Sequence, residues 1–116
     1  MTKLIEENSE IICLKNKSSF SPPELDEIIG IADNVFTNTN PINGLRHNPE
    51  NGTCGWYIWA GGEIPDQDDF FKPMHSKHLK DKLSIVIKYL SLEPGFRFQI
   101  DTNGYEDIWF DKSLLK

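Results

Sequence analysis

The chain has 116 residues, a formal net charge of −6 and 38% hydrophobic residues. This length predicts one domain with a single hydrophobic core, and the composition is that of an ordinary globular protein. Nucleic acids and anionic membranes are bound by clustered Lys and Arg, so the acidic balance argues against both as partners. It is compatible with a protein partner that is basic at its contact surface.

The first part of the chain contains few structural signals. Residues 1–10 and 111–116 are expected to be loose ends. A short apolar run predicts a first strand near 11–15. Cys13 and Cys54 each lie among apolar residues, which is typical of buried thiols in a reducing compartment. The chain has no apolar stretch of membrane-spanning length and no signal peptide at its start, so we expect a cytoplasmic protein.

The next segment carries the pattern of a capped helix. Ser21 suits the N-cap, Pro22 suits the first helical position, and Glu24 completes a capping box. The apolar residues in and after this segment recur at spacings of three and four: Leu25, Ile28, Ile29, Ala32, Val35 and Phe36. Asn40-Pro41 cannot continue a helix. The sequence therefore predicts a helix over 22–37.

Four large apolar residues lie in a row between glycines: Trp56, Tyr57, Ile58 and Trp59. In a strand, the first and third of these side chains leave one face of the sheet, and the second and fourth leave the other. Exposing either pair would place a large apolar area in water, so both faces must be covered. We therefore predict a central strand over 55–60, with a brief strand near 44–47 leading into it.

An acidic loop and a second helix are predicted after the central strand. Phe70 and Phe71 are expected to anchor the loop to the core, while its acids remain in water: Glu63, Asp66, Asp68 and Asp69. Apolar residues then recur at helical spacing: Leu79, Leu83, Val86, Ile87 and Leu90. This pattern predicts a helix over 76–91.

The last part of the chain has the pattern of a hairpin. Strands near 96–101 and 105–110 are joined by the turn-forming residues Thr102-Asn103-Gly104. Two registers fit this sequence. A two-residue loop would place Tyr105 and Trp109 on the apolar face of the hairpin.

A three-residue loop, with its glycine in the left-handed conformation, would instead place Ile108 and Phe110 on the apolar face. We prefer this register because it leaves Asp107 off that face. Trp109 would then share a face with Arg97, where a cation–π contact is available.

Candidate catalytic and metal-binding residues are few. His75 and His78 are three residues apart and follow the acidic loop, but they match no zinc signature. Residues 66–69 begin like a calcium loop but lack its glycine and its closing glutamate. Cys54 with a histidine is the one candidate nucleophile pair, and it lies on the approach to a buried strand. We expect solvated surface groups, no cofactor, no metal and no catalytic residue.

The remaining signal is a mixture of acids and aromatics in the acidic loop and the hairpin. Such a mixture is typical of an interface for a basic partner. The candidate partner-binding residues are Asp66, Asp68, Asp69, Tyr105, Glu106, Asp107 and Trp109. The alternative is that Tyr105 and Trp109 are packed under a helix.

About half of the chain resembles a known family. The resembling stretches are Gly52-Thr53-Cys54-Gly55-Trp56-Tyr57-Ile58-Trp59, Asp68-Asp69-Phe70-Phe71, Lys88-Tyr89-Leu90, Pro94-Gly95-Phe96-Arg97-Phe98 and Gly104-Tyr105-Glu106-Asp107-Ile108-Trp109. They are similar to the small bacterial immunity proteins of polymorphic toxin systems, nearest to the immunity-protein-33-like group. The resemblance implies a non-enzymatic cytoplasmic antidote that binds a cognate toxin. It implies no site residue.

Together these patterns predict a single α+β domain with a mainly antiparallel sheet of four to five strands and two packed helices. The favoured function is a non-catalytic immunity protein that neutralises a toxin by binding it. A small cytoplasmic interaction or regulatory domain unrelated to toxins is the alternative. A metal-dependent enzyme using His75, His78 and the acidic loop is the third hypothesis.

Overall fold

The computed structural model describes residues 3–115 of the chain. Within them are two α-helices, α1 (Ser9–Lys15) and α2 (Leu79–Lys82). The strands are β1 (Ile28–Ala32), β2 (Ile42–Arg46), β3 (Thr53–Ala60), β4 (Phe71–His75), β5 (Phe96–Ile100) and β6 (Glu106–Phe110). Short 3-10 helices cover Asp33–Phe36, Ser76–His78, Ser84–Tyr89 and Lys112–Leu115. The α+β class is confirmed.

The strands form one six-stranded sheet in the order β4-β1-β3-β2-β5-β6. β1 and β3 are parallel, and every other neighbouring pair is antiparallel. The prediction of a four- to five-stranded, mainly antiparallel sheet is thus only roughly matched. The additional strands are β1 and β4, and β1 lies where the sequence predicts a helix.

β3 is the central strand, as predicted, and both of its faces are covered. Trp56 and Ile58 belong to the main hydrophobic core, on what we call the core face of the sheet. Trp59 belongs to a smaller cluster on the opposite side, the second face, where Tyr57 packs against it. The alternation of large side chains along one strand therefore determines both layers of packing.

The predicted helix over 22–37 is wrong. Its first part is irregular rather than helical, because Pro23 accepts a hydrogen bond from the Leu4 amide and the Ser21 amide, just before it, donates to the Ser91 carbonyl. Its second part is β1, followed by a 3-10 helix. β-branched isoleucines favour a strand here. Gly30 lies against Tyr57, and a Cβ at this position would come within 2.5 Å of the tyrosine ring.

The predicted strand near 11–15 is also wrong, because α1 covers this run. Ile12 and Cys13 are buried, while Ile11 and Leu14 are exposed, as expected for one turn of a surface helix. The Asn16 side chain donates to the Ile12 carbonyl and closes the C-terminal end. A short apolar run has too few residues to distinguish a helical period from a strand period.

The predicted helix over 76–91 is present only in pieces. Ser76–His78 and Ser84–Tyr89 are 3-10 helices on either side of α2. The break lies at Leu83, whose backbone angles, φ −152° and ψ 59°, are outside the helical region. The helical spacing nevertheless identified the buried positions, since Leu79, Val86, Ile87 and Leu90 are in the main core.

The hairpin has the preferred three-residue register. Ile108 pairs with Phe98, and Phe110 pairs with Phe96. Gly104 in the turn has a φ of +95°, a conformation that favours glycine. The strands predicted near 44–47, 55–60, 96–101 and 105–110 correspond to β2, β3, β5 and β6.

The ends of the chain make contacts with the domain. Leu4 and Leu114 are both buried, which differs from the loose ends expected at 1–10 and 111–116. Residues 1, 2 and 116 lie outside the described part of the chain. No helix between residues 3 and 115 is long and apolar enough to cross a membrane.

A buried arginine connects the sheet to the segments that cover its core face. Arg46, at the end of β2, is 2% exposed, and its guanidinium lies 5.6 Å from the centroid of the Trp56 ring. It donates to four backbone carbonyls, those of Cys54 (2.8 Å), Ser21 (2.7 Å), Leu90 (3.2 Å) and Leu92 (2.7 Å). Burial lowers the pKa of Arg46, but an arginine stays protonated under ordinary conditions. Hydrogen bonds therefore replace its lost hydration.

We expect Trp59→Ala to lower the free energy of unfolding by about 3–5 kcal/mol, because a large aromatic would be removed from a packed site. Trp59 is 5% exposed, and its indole nitrogen donates to the Gly62 carbonyl at 2.7 Å. Trp109→Ala is the matched control, because Trp109 is 39% exposed. Denaturant melts that show less than about 1 kcal/mol for Trp59→Ala would contradict its role in the core.

Arg46→Met should cost about 2–4 kcal/mol, although it relieves the burial of a charge, because it leaves several carbonyls without a donor. The Leu90 carbonyl would keep the Trp56 indole donor, at 2.9 Å. Arg46→Lys keeps the charge but has no planar fork of donors, so it should be intermediate. Equal stability of Arg46→Met and the unchanged protein would show that the four hydrogen bonds only offset the desolvation of the charge.

Candidate functional site

The acidic loop and the hairpin turn lie at the same end of the sheet. β3 and β5 both run antiparallel to β2, so they point in the same direction. The loop 61–70 follows β3, and the turn 101–105 follows β5. We call this region, defined by the loop 61–70 and the turn 101–105, the acidic end.

The loop has the architecture that the sequence predicts. Asp66, Asp68 and Asp69 are exposed. Phe70 and Phe71 are partly buried, with their ring centroids 5.0 Å apart, and Phe71 also lies 5.2 Å from the Tyr57 ring. The aromatic pair therefore anchors the C-terminal end of the loop to the second face, while the acids are in water.

The hairpin places its acids differently. Tyr105, Glu106 and Asp107 are all exposed. The Glu106 carboxylate accepts a hydrogen bond of 2.6 Å from the Tyr89 hydroxyl. Burial, and then the Glu106 carboxylate, raise the pKa of Tyr89, so this phenol stays protonated as the donor. This hydrogen bond therefore fixes the orientation of the Glu106 carboxylate. The Asp107 side chain has only the position that its place in β6 gives it.

Trp109 is on the second face and is 39% exposed. It stacks on Arg97, whose guanidinium lies 5.8 Å from the Trp109 ring centroid, as the preferred register predicts. Arg97 also forms an ion pair of 2.8 Å with Asp111. The Ser113 hydroxyl, and then Arg97, lower the pKa of Asp111. Tyr105 is exposed as well, at 47%, so the alternative in which Tyr105 and Trp109 are packed under a helix is wrong.

A depression of about 300 Å³ opens on the second face beside Trp109. Its lining includes Asn43, Trp59, Glu63, Arg97, Gln99 and Trp109. Asn43 is buried, donates to the Gly61 carbonyl at 3.0 Å and accepts from the Gln99 amide at 2.8 Å. These bonds connect the start of the acidic loop to the hairpin. Sequence reasoning missed Asn43, because an Asn-Gly pair indicates a turn rather than a strand.

The seven predicted partner-binding residues do not form one cluster. Asp69 lines a shallow depression with Asp33 and Lys72 near the β4 edge of the sheet. Tyr105, Glu106, Asp107 and Trp109 are at the β6 edge, with β1, β3, β2 and β5 in between. The predicted site is therefore two acidic surfaces, one at each side of the sheet.

The candidate metal and nucleophile residues are separated. The His75 and His78 rings lie 6.3 Å apart, and residues 3–115 contain no group of three or more His, Cys, Asp or Glu that could hold a metal ion. Cys13 and Cys54 are free and buried, and burial raises the pKa of both thiols. A protonated, inaccessible thiol is a poor nucleophile.

Comparison with protein families gives one match. A family model described as the Imm33-like domain matches residues 8–111, which is most of the chain. Comparisons with curated proteins and with solved structures gave no match. The family match confirms the resemblance seen in the sequence and extends it into the N-terminal half. The chain belongs to the Imm33-like domain family.

Proposed function

We propose that this protein is an immunity protein that neutralises a cognate bacterial toxin by binding it directly, without catalysis. The observation that carries the proposal is the match of the Imm33-like domain over residues 8–111. The net charge of −6 supports it, because a basic toxin surface would be attracted to this chain. We further propose that the protein acts in the cytoplasm and needs no cofactor.

The contact surface that we propose consists of the acids and aromatics predicted from the sequence. Asp66, Asp68 and Asp69 are exposed charges that would steer a basic partner towards the acidic end. Tyr105 and Trp109 are the larger groups that would be covered on binding and slow dissociation. Glu106, fixed by Tyr89, would offer an oriented carboxylate.

Two other functions can be distinguished from this one. A regulatory interaction domain would bind a protein that is not toxic, so growth assays separate it from an immunity protein. A metal-dependent enzyme would require His75 and His78 to bind an ion. Metal analysis of the purified protein and melting with added zinc test that hypothesis, and a bound transition metal would favour it over the proposed function.

The direct test is to express the product of the neighbouring gene with and without this protein. We expect that product to inhibit growth alone, to be harmless when this protein is present, and to co-purify with it. A neighbouring product that is harmless alone, or that remains toxic in the presence of this protein, would contradict the proposed function.

Salt and charge should control how fast the toxin associates. Raising the ionic strength from low to physiological shortens the Debye length to about 8 Å, so association should slow markedly. The double variant Asp68→Asn with Asp69→Asn should also slow association while leaving thermal stability nearly unchanged, because both side chains are exposed. Stopped-flow or surface-based kinetics measure the rate.

The matched control carries the same change of charge at the opposite end of the sheet. Asp26 and Glu50 are both exposed there, just before the parallel strands β1 and β3, so replacing them by Asn and Gln should leave the association rate closer to that of the unchanged protein. If both double variants slow association equally, net charge is responsible rather than the acidic end. A rate that responds to neither salt nor substitution would contradict electrostatic steering.

A further inference from the structure

The two edge strands of the sheet differ in how they present their backbone. β4 pairs with β1, and the Ser76 amide donates to the Glu27 carbonyl just beyond the paired residues. Hydrogen-bonded and non-hydrogen-bonded pairs alternate along an antiparallel ladder. The amide positions of β4 that point outwards are therefore 71, 73 and 75. The middle one is Pro73, which has no N–H, so this edge lacks its central donor.

β6 has no such protection. Its ladder with β5 is continued by hydrogen bonds from the Asp111 amide to the Gly95 carbonyl and from the Asp101 amide to the Tyr105 carbonyl. By the same alternation, the amides and carbonyls of Glu106, Ile108 and Phe110 point outwards. Among residues 3–115, no strand lies beyond β6. An open edge with its full set of donors and acceptors is a template for another strand.

The side chains along β6 divide the edge into two halves. Glu106 and Asp107 are both exposed, in the half of the strand next to the acidic end. At the other half, Trp109 is 39% exposed and Phe110 is 47% exposed. The strand itself contains no Lys or Arg, and the nearby Arg97 is already paired with Asp111. An added strand would therefore meet acids at one half and aromatic rings at the other.

We propose that the outer edge of β6 receives an extended segment of a protein partner as an additional strand of the sheet. The segment carries Lys or Arg beside Glu106 and Asp107, and apolar residues beside Ile108, Trp109 and Phe110. This inference deepens the proposed function and depends on it for the identity of the partner. Main-chain hydrogen bonds hold the segment, and the two halves of the edge select its sequence.

Charge favours this partner over a second copy of the chain. A β6–β6 pair would join two molecules with a net charge of −6 each, and neither strand would supply a cation to the acids of the other. A basic segment removes the repulsion and neutralises the exposed acids.

The first test uses a defined peptide and the full protein, without the toxin. The probe is acetyl-Thr-Lys-Lys-Val-Val-Val-Thr-amide, together with the peptide of reversed order, because the direction of pairing is open. We expect one of them to bind and to slow hydrogen exchange at the amides of Glu106, Ile108 and Phe110. A version with Glu in place of Lys, and one N-methylated at alternate residues, should each bind at least about tenfold more weakly.

A pair of variants separates the backbone contribution from the side-chain contribution. Phe110→Pro and Phe110→Ala both remove the ring, but only the proline also removes an outward-pointing N–H. This N–H is not part of the β5–β6 ladder, so both variants should fold, which thermal melts check. We expect Phe110→Pro to bind the peptide about tenfold more weakly than Phe110→Ala. Asp107→Asn should weaken binding of the lysine peptide without affecting folding.

In the peptide experiments, three results would overturn the inference: no binding of either peptide, binding that is indifferent to N-methylation, or protection confined to residues away from β6. A dimer in size-exclusion chromatography that Phe110→Pro dissociates would assign the edge to a second copy instead.

The results of the peptide and dimer experiments are independent of the toxin assay. If the neighbouring product is neutralised equally by Phe110→Pro and Phe110→Ala, the immunity function stands and the β6 inference falls. If the peptide tests succeed and neutralisation fails, the β6 inference stands and the immunity function falls.

Discussion

The fold depends on the burial of one charge. Arg46 can leave water only if carbonyl groups replace its hydration, and those groups come from β3, from the segment before β1 and from the segment before β5. The same two outer segments are held to each other by the bond from the Ser21 amide to the Ser91 carbonyl. Four hydrogen bonds from one side chain thus fix the layer that covers the core face, and the hydrophobic core fills the space beneath it.

This constraint also explains where the sequence was misleading. Ser21, Pro22 and Glu24 form a sound local signal for a helix start, but the Ser21 carbonyl is used by Arg46 and its amide by Ser91. Long-range partners therefore decide the conformation of this segment. The regions that could be predicted are those whose signal is complete in the segment itself: the alternation in β3, and the turn chemistry of the β5–β6 hairpin. The apolar run in α1 is too short to show whether its hydrophobic period is that of a helix or that of a strand.

The candidate site was predictable in its residue types and not in its layout. Exposed acids and aromatic anchors in the loop could be recognised, because Phe70 and Phe71 adjoin a run of charge. Their separation from the hairpin could not be recognised, since it depends on the strand order, with β4 at one edge and β6 at the other. The hydrogen bond between Tyr89 and Glu106, which orients one of the acids, could not be recognised from the sequence either.

The contrast between the two edges bears on how this sheet is used. An unprotected edge strand with exposed aromatic rings exposes a lone protein to aggregation, and natural sheets commonly block such edges. Pro73 removes the central outward donor of one edge, whereas the other edge keeps all of its outward amides beside Trp109 and Phe110 and has charges only at Glu106 and Asp107, so a proline blocks β4 alone. Solubility of the isolated domain does not account for that asymmetry. It does follow if β6 is covered by a partner while the protein functions, because a strand kept available for pairing must keep its outward amides.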